Sequence, residues 1–353
     1  MPSSESSVPS PESQPNTTPA PSPMVPAGYE AARHGVGLID RRQHGRLVVS
    51  GADRRSYLHG LLTNDIAALG PGQGCYACYL TAQGRMISDL WVYELGDLVL
   101  LTLPLVTKDA VLAKLDQFVF SEDVQLGDVT QAFASLAVIG PGAGAVLTTI
   151  LEGAAGVPSV PERGNLRAAF RGQPAIVLRP DDLGVRGYEV LVDAGQFDAL
   201  HAALQAAGAL DLSPEAADAI RIEGGIPRYP QDMDEETIPL EAGIESRAIS
   251  LTKGCYVGQE VIIRVLHRGH GRVAKKLVGL AIAGGAAPAS GSPVTTPDGR
   301  PIGHVTSAVV SPACGQPIAL GYVHREFVAA ATPVRIGDAE AVVSDLPFVA
   351  AAG

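Results

Sequence analysis

Cysteine is scarce in this sequence, with four residues among 353, at positions 75, 78, 255 and 314. A cytosolic chain of this size with so few cysteines does not build a disulfide framework. Cys75 and Cys78 form a C-x-x-C, but Gly74 to Leu80 is typical of a strand, in which residues three apart face opposite sides. No second C-x-x-C or C-x-x-H follows to complete four zinc ligands. We therefore predict a structural cysteine pair and no metal site.

Lysine and arginine are absent from residues 1–26, which are rich in Pro, Ser and Thr. A segment without a basic start and an apolar stretch is not a secretory signal, and one without arginine makes a poor organelle transit peptide. Its composition also leaves little apolar surface to bury. We predict a disordered tail over residues 1–26 and a cytoplasmic protein.

Charge is missing altogether between residues 129 and 151, a run long enough to span a membrane. The turn Gly140-Pro141-Gly142 divides it into a strand over 133–139 and a helix from about Ala143, so no transmembrane segment is predicted. The formal charge of −11 argues against broad nucleic-acid binding, because phosphate contacts need a basic surface. Phosphate-loop, dinucleotide and metalloprotease motifs are absent as well.

Strand and helix signals along the rest of the chain favour three parts. Strands near 46–49, 73–80, 85–94 and 98–103 accompany two helices, the second with Thr107 as its N-cap. A similar set runs from 133 to a helix that begins at Ser213-Pro214, and short strands with turns follow from about 272. We predict an α+β first lobe (27–131), an α+β second lobe with a connecting acidic loop (132–250), and a C-terminal part (251–353) that ends in an antiparallel β-barrel.

The segment from Lys253 to Glu260, sequence KGCYVGQE, combines a thiol, a nearby ammonium and two glycines. The apolar run Val261 to Val265 that follows predicts a strand, so Cys255 is expected on the loop that leads into it. In an extended loop Lys253 and Cys255 face the same way, and a cation beside an exposed thiol favours the reactive thiolate. The alternative is a small buried cysteine between two turns.

Basic residues cluster immediately afterwards, with no acid among them. The cluster comprises Arg264, His267, Arg268, His270, Arg272, Lys275 and Lys276. It is either a solvated face or an anion site, for carboxylates or phosphates, close to Cys255.

Several short motifs together resemble those of the glycine-cleavage T-protein aminomethyltransferases. They are Gly45-x-Leu-Val-Val-x-Gly51, Leu62-Thr63-Asn64-Asp65, Gly187-Tyr188-Glu189, Arg221 to Pro227 (RIEGGIP) and Pro239 to Gly243 (PLEAG). The KGCYVGQE segment resembles the signature of the YgfZ branch, T-protein relatives that support iron–sulfur cluster assembly. The likeness extends over roughly residues 28–345. It implies two ferredoxin-like α+β lobes and a C-terminal antiparallel β-barrel around a central folate channel.

The resemblance also implies a tetrahydrofolate site. Glu189, which follows Tyr188, corresponds to the glutamate that hydrogen-bonds the pterin. A glutamate suits this role because its carboxylate can accept two hydrogen bonds from an amino-pyrimidine edge. Arg221 corresponds to the arginine that meets the glutamate tail of folate. Thr102 and Pro104 fall on the strand that contacts the pterin. On sequence alone, a surface glutamate after a strand tyrosine is the preferred interpretation of Glu189, and a charge on a helix surface is the alternative for Arg221.

One departure from the family concerns Ser88. T-proteins carry two adjacent aspartates here, and the resemblance assigns the acid/base role to the first, where this chain has Ser88 followed by Asp89. A hydroxyl is no general acid/base near neutral pH, and the neighbouring Asp89 on a strand should face the other way. Aminomethyl transfer is therefore not the first expectation, and whether the protein is an enzyme stays open.

Two functions follow as hypotheses. The first is a tetrahydrofolate-binding factor that helps to assemble or repair iron–sulfur clusters in client proteins, with Cys255 as the working thiol and Lys253 keeping it ionised. The alternative is a folate-dependent aminomethyltransferase or other one-carbon transferase. A pure folate-binding scaffold is a third reading. None of them involves a membrane or stable nucleic-acid binding.

Overall fold

The computed structural model describes residues 25–182, 184–267 and 272–350. The strands are β1 Gly37–Asp40, β2 His44–Ser50, β3 Gly74–Leu80, β4 Met86–Glu94, β5 Val99–Pro104, β6 Gln125–Asp128, β7 Phe133–Ile139, β8 Asn165–Phe170, β9 Gln173–Leu178, β10 Gly187–Asp193, β11 Leu210–Asp211, β12 Lys275–Ile282, β13 Pro293–Thr295, β14 Pro301–Ser311, β15 Gln316–His324, β16 Pro333–Ile336 and β17 Ala339–Ser344. The α-helices are α1 Tyr29–His34, α2 Arg54–Leu61, α3 Leu105–Asp116, α4 Ala143–Ile150, α5 Phe197–Ala206, α6 Pro214–Glu223, α7 Pro239–Ala242, α8 Glu245–Ala248 and α9 Gln259–His267.

The first lobe is a five-stranded sheet in the order β3-β4-β5-β2-β6. Alternate residues of β4 divide between its two faces, as the strand period requires. Leu90 and Val92 join the core beneath α2 and α3, whereas Trp91 and Tyr93 belong to a different core on the other face. Both faces of the sheet are therefore covered.

The second lobe is a six-stranded sheet in the order β11-β1-β7-β10-β9-β8. Its strand β1 comes from the start of the chain and lies between β7, with which it is antiparallel, and β11, with which it is parallel. The strand Gly37–Asp40 therefore belongs to this sheet, although the sequence-based division placed it within the first lobe. The helix predicted from Ser213 is present, with its hydroxyl accepting a hydrogen bond from the amide of Ala216.

The inner faces of the two sheets meet in a shared core. Leu178 and Leu191 of the second sheet pack here with Tyr76, Trp91 and the other inner-face residues of the first sheet, together with side chains from the 229–249 segment and α9. The long Pro-rich segment 227–241 is thus an ordered loop. It passes along the boundary between both lobes and the barrel.

The C-terminal part is a closed barrel in the order β12-β15-β14-β13-β16-β17, with antiparallel pairs throughout. The turn predicted at Thr296 to Arg300 joins β13 and β14. The mixed α+β fold with a C-terminal antiparallel barrel is as predicted.

Two local predictions are wrong. Val261 to Val265 lies in helix α9, because Ile262, Val265 and Leu266 pack against the shared core at helical spacing. Thr107 lies inside α3 and does not cap it, since its hydroxyl donates to the carbonyl of Pro104, the residue before the helix.

Across residues 25–182, 184–267 and 272–350 no helix is both long enough and apolar enough to cross a membrane.

Candidate functional site

Asp89 lies on the inner face of β4, in the core between the two lobes. It is 3% exposed, and the hydroxyl of Tyr76 donates to its Oδ2 at 2.8 Å. Burial raises the pKa of Asp89 to about 6, against the opposing effect of the Tyr76 hydrogen bond. A carboxyl group with a pKa near neutrality can both take up and release a proton, which is the property a general acid/base needs.

Ser88 faces the other side of the same sheet. It is fully buried, and its hydroxyl donates to the carbonyl of Asp89 at 2.8 Å and shares a hydrogen bond of 2.8 Å with Thr107. The prediction that Ser88 and Asp89 face opposite ways is correct. The inward residue is Asp89, however, so the absence of a carboxylate at Ser88 does not remove the carboxylate from the space between the lobes.

Glu189 lies on the inner face of β10, opposite the first lobe. Its Oε1 accepts a hydrogen bond of 2.7 Å from Ser135, and its Oε2 is 3.5 Å from Nε of Arg41. Arg41 also forms an ion pair of 2.6 Å with Asp182. Each oxygen of Glu189 keeps a further lone pair, so the buried carboxylate can still accept from a ligand.

Tyr188 does not share this face. It packs in the outer core of the second lobe, with α4, and its hydroxyl accepts from Arg186 at 3.4 Å. Neighbouring residues on a strand point to opposite sides, so the Tyr188 side chain does not lie on the Glu189 face, and its role as a cofactor contact stays a prediction.

Several buried polar atoms between the lobes have no hydrogen-bond partner within the described part of the chain. They are Oδ1 of Asp89, the hydroxyl of Tyr93, Nδ1 of His44, Nε of Arg41 and Oδ1 of Asp182. Burial, together with the nearby charges of Arg41, Arg46 and Arg228, holds the pKa of His44 well below its usual value. Buried polar groups are nearly always paired, so this set fits a polar ligand such as a pterin.

Sequence reasoning missed Arg41, His44, Tyr93 and Asp182 as site residues. Tyr93 could have been found from its spacing, since it is four residues beyond Asp89 on the same strand. Arg41 and Asp182 lie 141 positions apart and carried no motif.

Thr102 and Pro104 are placed on the inner face of β5, with Thr102 buried beside Trp91 on one side and Arg46 on the other. Both remain predicted ligand contacts.

Arg221 lies elsewhere, in a clamp between α6, the 227–241 loop and the barrel. Its side chain is 4% exposed and donates to Asp232 at 2.7 Å, to Ser307 at 3.0 Å and to the carbonyl of Ile226 at 3.0 Å. Its Nε reaches Asp218 at 3.2 Å. These contacts engage four of the five N–H donors of Arg221 and give it a structural role in the clamp, while its contact with a folate tail stays a prediction.

Two clefts open beside the shared core and meet at Gly224, Ile226 and Pro347. Their volumes are about 410 and 440 Å³. Asp181 lines the first and Arg247 lines the second, and these two side chains form an ion pair of 3.0 Å. The pair therefore joins the linings of the two clefts.

Cys255 is exposed on the loop before α9, whereas Cys75 and Cys78 are buried on opposite faces of β3, so the two cannot share a metal. Burial raises the pKa of Cys75 to about 12 and that of Cys78 well above its usual value. Among the cysteines of residues 25–182, 184–267 and 272–350, Cys255 alone is exposed.

Lys253 does not reach the thiol. Its ammonium donates to the carbonyls of Leu62 at 2.6 Å and Asn64 at 3.0 Å, and also to that of His59. These carbonyls lie at the C-terminal end of α2, where a cation is favourable. Burial lowers the pKa of Lys253 to about 8. Its role in this structure is to fasten the KGCYVGQE loop to the LTND segment, which corrects the expected pairing with Cys255.

Two glycines let the KGCYVGQE loop touch the turn between β3 and β4. Gly258 has φ +83°, and a Cβ there would lie 2.5 Å from the carbonyl oxygen of Thr81. Gly84 has φ +75°, and a Cβ there would lie 3.0 Å from Cβ of Val261. Only glycine tolerates both the conformation and the close approach.

The basic cluster after Cys255 is divided. Arg264 and His267 are on α9 and exposed, and Lys275 and Lys276 begin β12, with the Lys275 ammonium 4.7 Å from the ring centre of Tyr322. Arg268 and His270 lie outside the described residues. The role of the basic cluster as an anion site stays a prediction.

Comparisons with known proteins give one family for both halves of the chain. Residues 13–253 match the GCVT N-terminal domain, and residues 275–349 match the glycine cleavage T-protein C-terminal barrel domain. An aminomethyltransferase of Nostoc sp. is 31% identical over 334 residues, covering 91% of this chain and 86% of its own length. An aminomethyltransferase of Rubrobacter xylanophilus is 34% identical, and the match covers 86% of this chain and 80% of the length of that protein.

A putative chloroplastic transferase of Arabidopsis thaliana is 28% identical, covering 91% of this chain and 73% of its own length. The glycine cleavage system aminomethyltransferase T of Bartonella henselae has the same fold, with a TM-score of 0.81 at 23% identity over 91% of this chain and 88% of that one. The domain matches, the relatives and the two-lobe fold with its barrel agree, and the chain belongs to the glycine cleavage T-protein family.

Proposed function

We propose that this protein transfers a one-carbon unit from an aminomethyl donor to tetrahydrofolate, with Asp89 as its acid/base group. The observation that carries the proposal is the buried Asp89 carboxyl, which has one oxygen held by Tyr76 and the other without a partner in the described structure. The names of the relatives support aminomethyl transfer.

The overall reaction conserves protons and needs no oxidant. An aminomethyl donor X–CH2–NH2 loses its C–X and C–N bonds, two N–C bonds form on the folate, and the two hydrogens released from the folate nitrogens end on X and on ammonia. Asp89 would take a proton from the folate side and return it to the departing amine. Glu189 would hold the amino-pyrimidine edge, and Thr102 and Pro104 would line the ring.

The test is reconstitution of glycine cleavage with this protein in place of a T-protein, following methylene-tetrahydrofolate formation. We expect activity in the parent, and about a tenfold or greater loss of tetrahydrofolate affinity in Glu189→Gln, because an amide offers one acceptor where the carboxylate offers two. Glu30→Gln is the control, because Glu30 is exposed on α1 and lines neither cleft. Absence of transfer by a folded parent that binds tetrahydrofolate would refute the reaction, and unchanged affinity in Glu189→Gln would refute the pterin assignment.

The exposed thiol favours a second candidate function. We propose, as the alternative, that the protein is of the YgfZ type and assists iron–sulfur cluster assembly or repair in client proteins through Cys255. One thiol cannot hold a cluster alone, because clusters usually take four protein ligands, so Cys255 would act as a transient ligand or redox group. Four free cysteines also suit the reducing cytoplasm.

This alternative is tested by complementing a deletion strain and measuring the activity of several iron–sulfur enzymes. The parent protein and Cys314→Ala are expected to restore activity, and Cys255→Ala is expected to fail while being expressed and folded. Full restoration by Cys255→Ala would remove the thiol from the proposal.

A further inference from the structure

Tyr76 joins Asp89 to a cluster of charged residues at the edge of the two clefts. Its hydroxyl donates to Asp89 Oδ2 at 2.8 Å. Its ring lies 4.9 Å from the ring of Trp91, and the guanidinium of Arg247 is 4.9 Å from its centre. A guanidinium over an aromatic face restrains both groups through a cation–π contact.

Arg247 is in turn held by Asp181. Its Nε lies 3.1 Å from Asp181 Oδ2 and one terminal nitrogen lies 3.0 Å from Oδ1, so the pair is bidentate. Trp91 Nε1 and Arg163 Nε donate to the same carboxylate at 2.9 and 2.8 Å. These four contacts use the acceptor sites of the carboxylate. Asp181 therefore has no capacity left for a ligand, although it lines a cleft.

Arg163 adds a second indication that this cluster is built for a purpose. Its backbone has φ +63°, in the left-handed region that residues other than glycine rarely adopt. Backbone strain of this kind persists where surrounding contacts enforce it and is concentrated at functional sites.

We propose that Tyr76 and Arg247 are positioning residues for Asp89, with the Tyr76 hydroxyl holding one carboxyl oxygen and Arg247, fixed by Asp181, holding the Tyr76 ring. A catalytic role for this arrangement rests on the proposed function. The orientation and protonation of the Asp89 carboxyl do not depend on that function. Asp181 lines one cleft and Arg247 lines the other, so a ligand that displaces either side chain would alter Asp89 through Tyr76.

The groups that face Asp89 come from four elements. Tyr76 and Cys78 extend from β3, Tyr229 from the 227–241 loop, Asp182 from the segment after β9, and Arg247 from α8. Removing the hydroxyl of Tyr76 takes away a hydrogen bond to the ionised form while leaving all the other groups in place.

The experiment is a carbon-13 NMR titration of aspartate-labelled protein, with the Asp89 carboxyl signal assigned through Asp89→Asn. We expect Tyr76→Phe to raise the Asp89 midpoint by about one pH unit, as the loss of a hydrogen bond to a charged group implies. Tyr79→Phe is the matched control, because Tyr79 is buried on the opposite face of the same strand. Its midpoint should equal that of the parent, and an unmoved midpoint in Tyr76→Phe would overturn the proposal.

A double-mutant cycle tests whether Arg247 acts through Tyr76. Arg247→Met should raise the midpoint as well, and the double variant should shift it by clearly less than the sum of the single shifts. Additive shifts would mean that Arg247 acts on Asp89 directly, which would contradict the proposal that it acts through Tyr76. A parent with no transfer activity but with the shifts described here would refute the proposed reaction and leave the positioning of Asp89 intact.

Discussion

Replacing Asp89 with asparagine is expected to make the protein more stable at neutral pH while reducing transfer by about a hundredfold or more. The folded-state pKa of Asp89, about 6, is above the ordinary aspartate value of 3.8. The unfolded chain therefore binds fewer protons between those two values, so this group lowers stability as the pH rises through that window. A difference of two pKa units corresponds to about 3 kcal/mol, and asparagine removes the charge while still accepting from Tyr76.

The measurement is the free energy of unfolding of both proteins between pH 4 and pH 7.5. The advantage of Asp89→Asn should be about 1 to 3 kcal/mol at pH 7 and should fall to about 0.5 kcal/mol at pH 4, where the folded-state carboxyl is protonated and the unfolded-state carboxyl is close to its titration midpoint. Asp97→Asn is the control, because Asp97 forms an exposed pair with Arg167 and should change stability by less than about 1 kcal/mol. A lower free energy of unfolding in Asp89→Asn would contradict this prediction and show that the ionised carboxyl stabilises the fold.

Replacing Arg221 with methionine is expected to cost about 3 to 5 kcal/mol of unfolding free energy, because it leaves the buried Asp232 without its cation. Asp232 is 2% exposed and also accepts from Thr306 and Ser307 of the barrel. The clamp therefore connects the end of α6 to the barrel, and its loss should weaken both. The dissociation constant of tetrahydrofolate for the folded fraction should change little.

Arg228→Met provides the matched comparison. Arg228 pairs with Asp218 at 2.9 Å, and its side chain is 48% exposed, so its removal should cost less than about 1 kcal/mol. Chemical denaturation and tetrahydrofolate titration of both variants give the result. Weaker folate binding by a stable Arg221→Met would support the sequence-based assignment of this residue to the ligand.

The strand β4 shows how far sequence can go. Its alternation places Ser88 and Asp89 on opposite faces, which is correct. Which face is inward cannot be read from the pattern, because Leu90 and Val92 on one side are as apolar as Trp91 and Tyr93 on the other. When both faces of a sheet are covered, both sets of alternate residues are apolar, and the sequence does not show which set faces the other lobe.

The helix α9 illustrates a different limit. Its β-branched run suggested a strand, but strand propensity is weak compared with the burial of Ile262 and Leu266 against the shared core. The exposed positions Glu260, Ile263, Arg264 and His267 recur at helical spacing and were the available signal. Contacts between distant segments, such as Arg41 with Asp182, leave no such local trace.

The place of β1 in the second sheet has a consequence for synthesis. The first lobe occupies His44 to Asp128, so it is inserted, in chain order, between two parts of the second lobe. Strand β1 leaves the ribosome before it has a neighbour, and β7 follows roughly 90 residues later, a delay of roughly 5 to 20 s at ordinary elongation rates. Because β2 and β6, the first and last strands of the inserted lobe, pair with each other, the folded lobe holds the segments that lead to β1 and β7 close together.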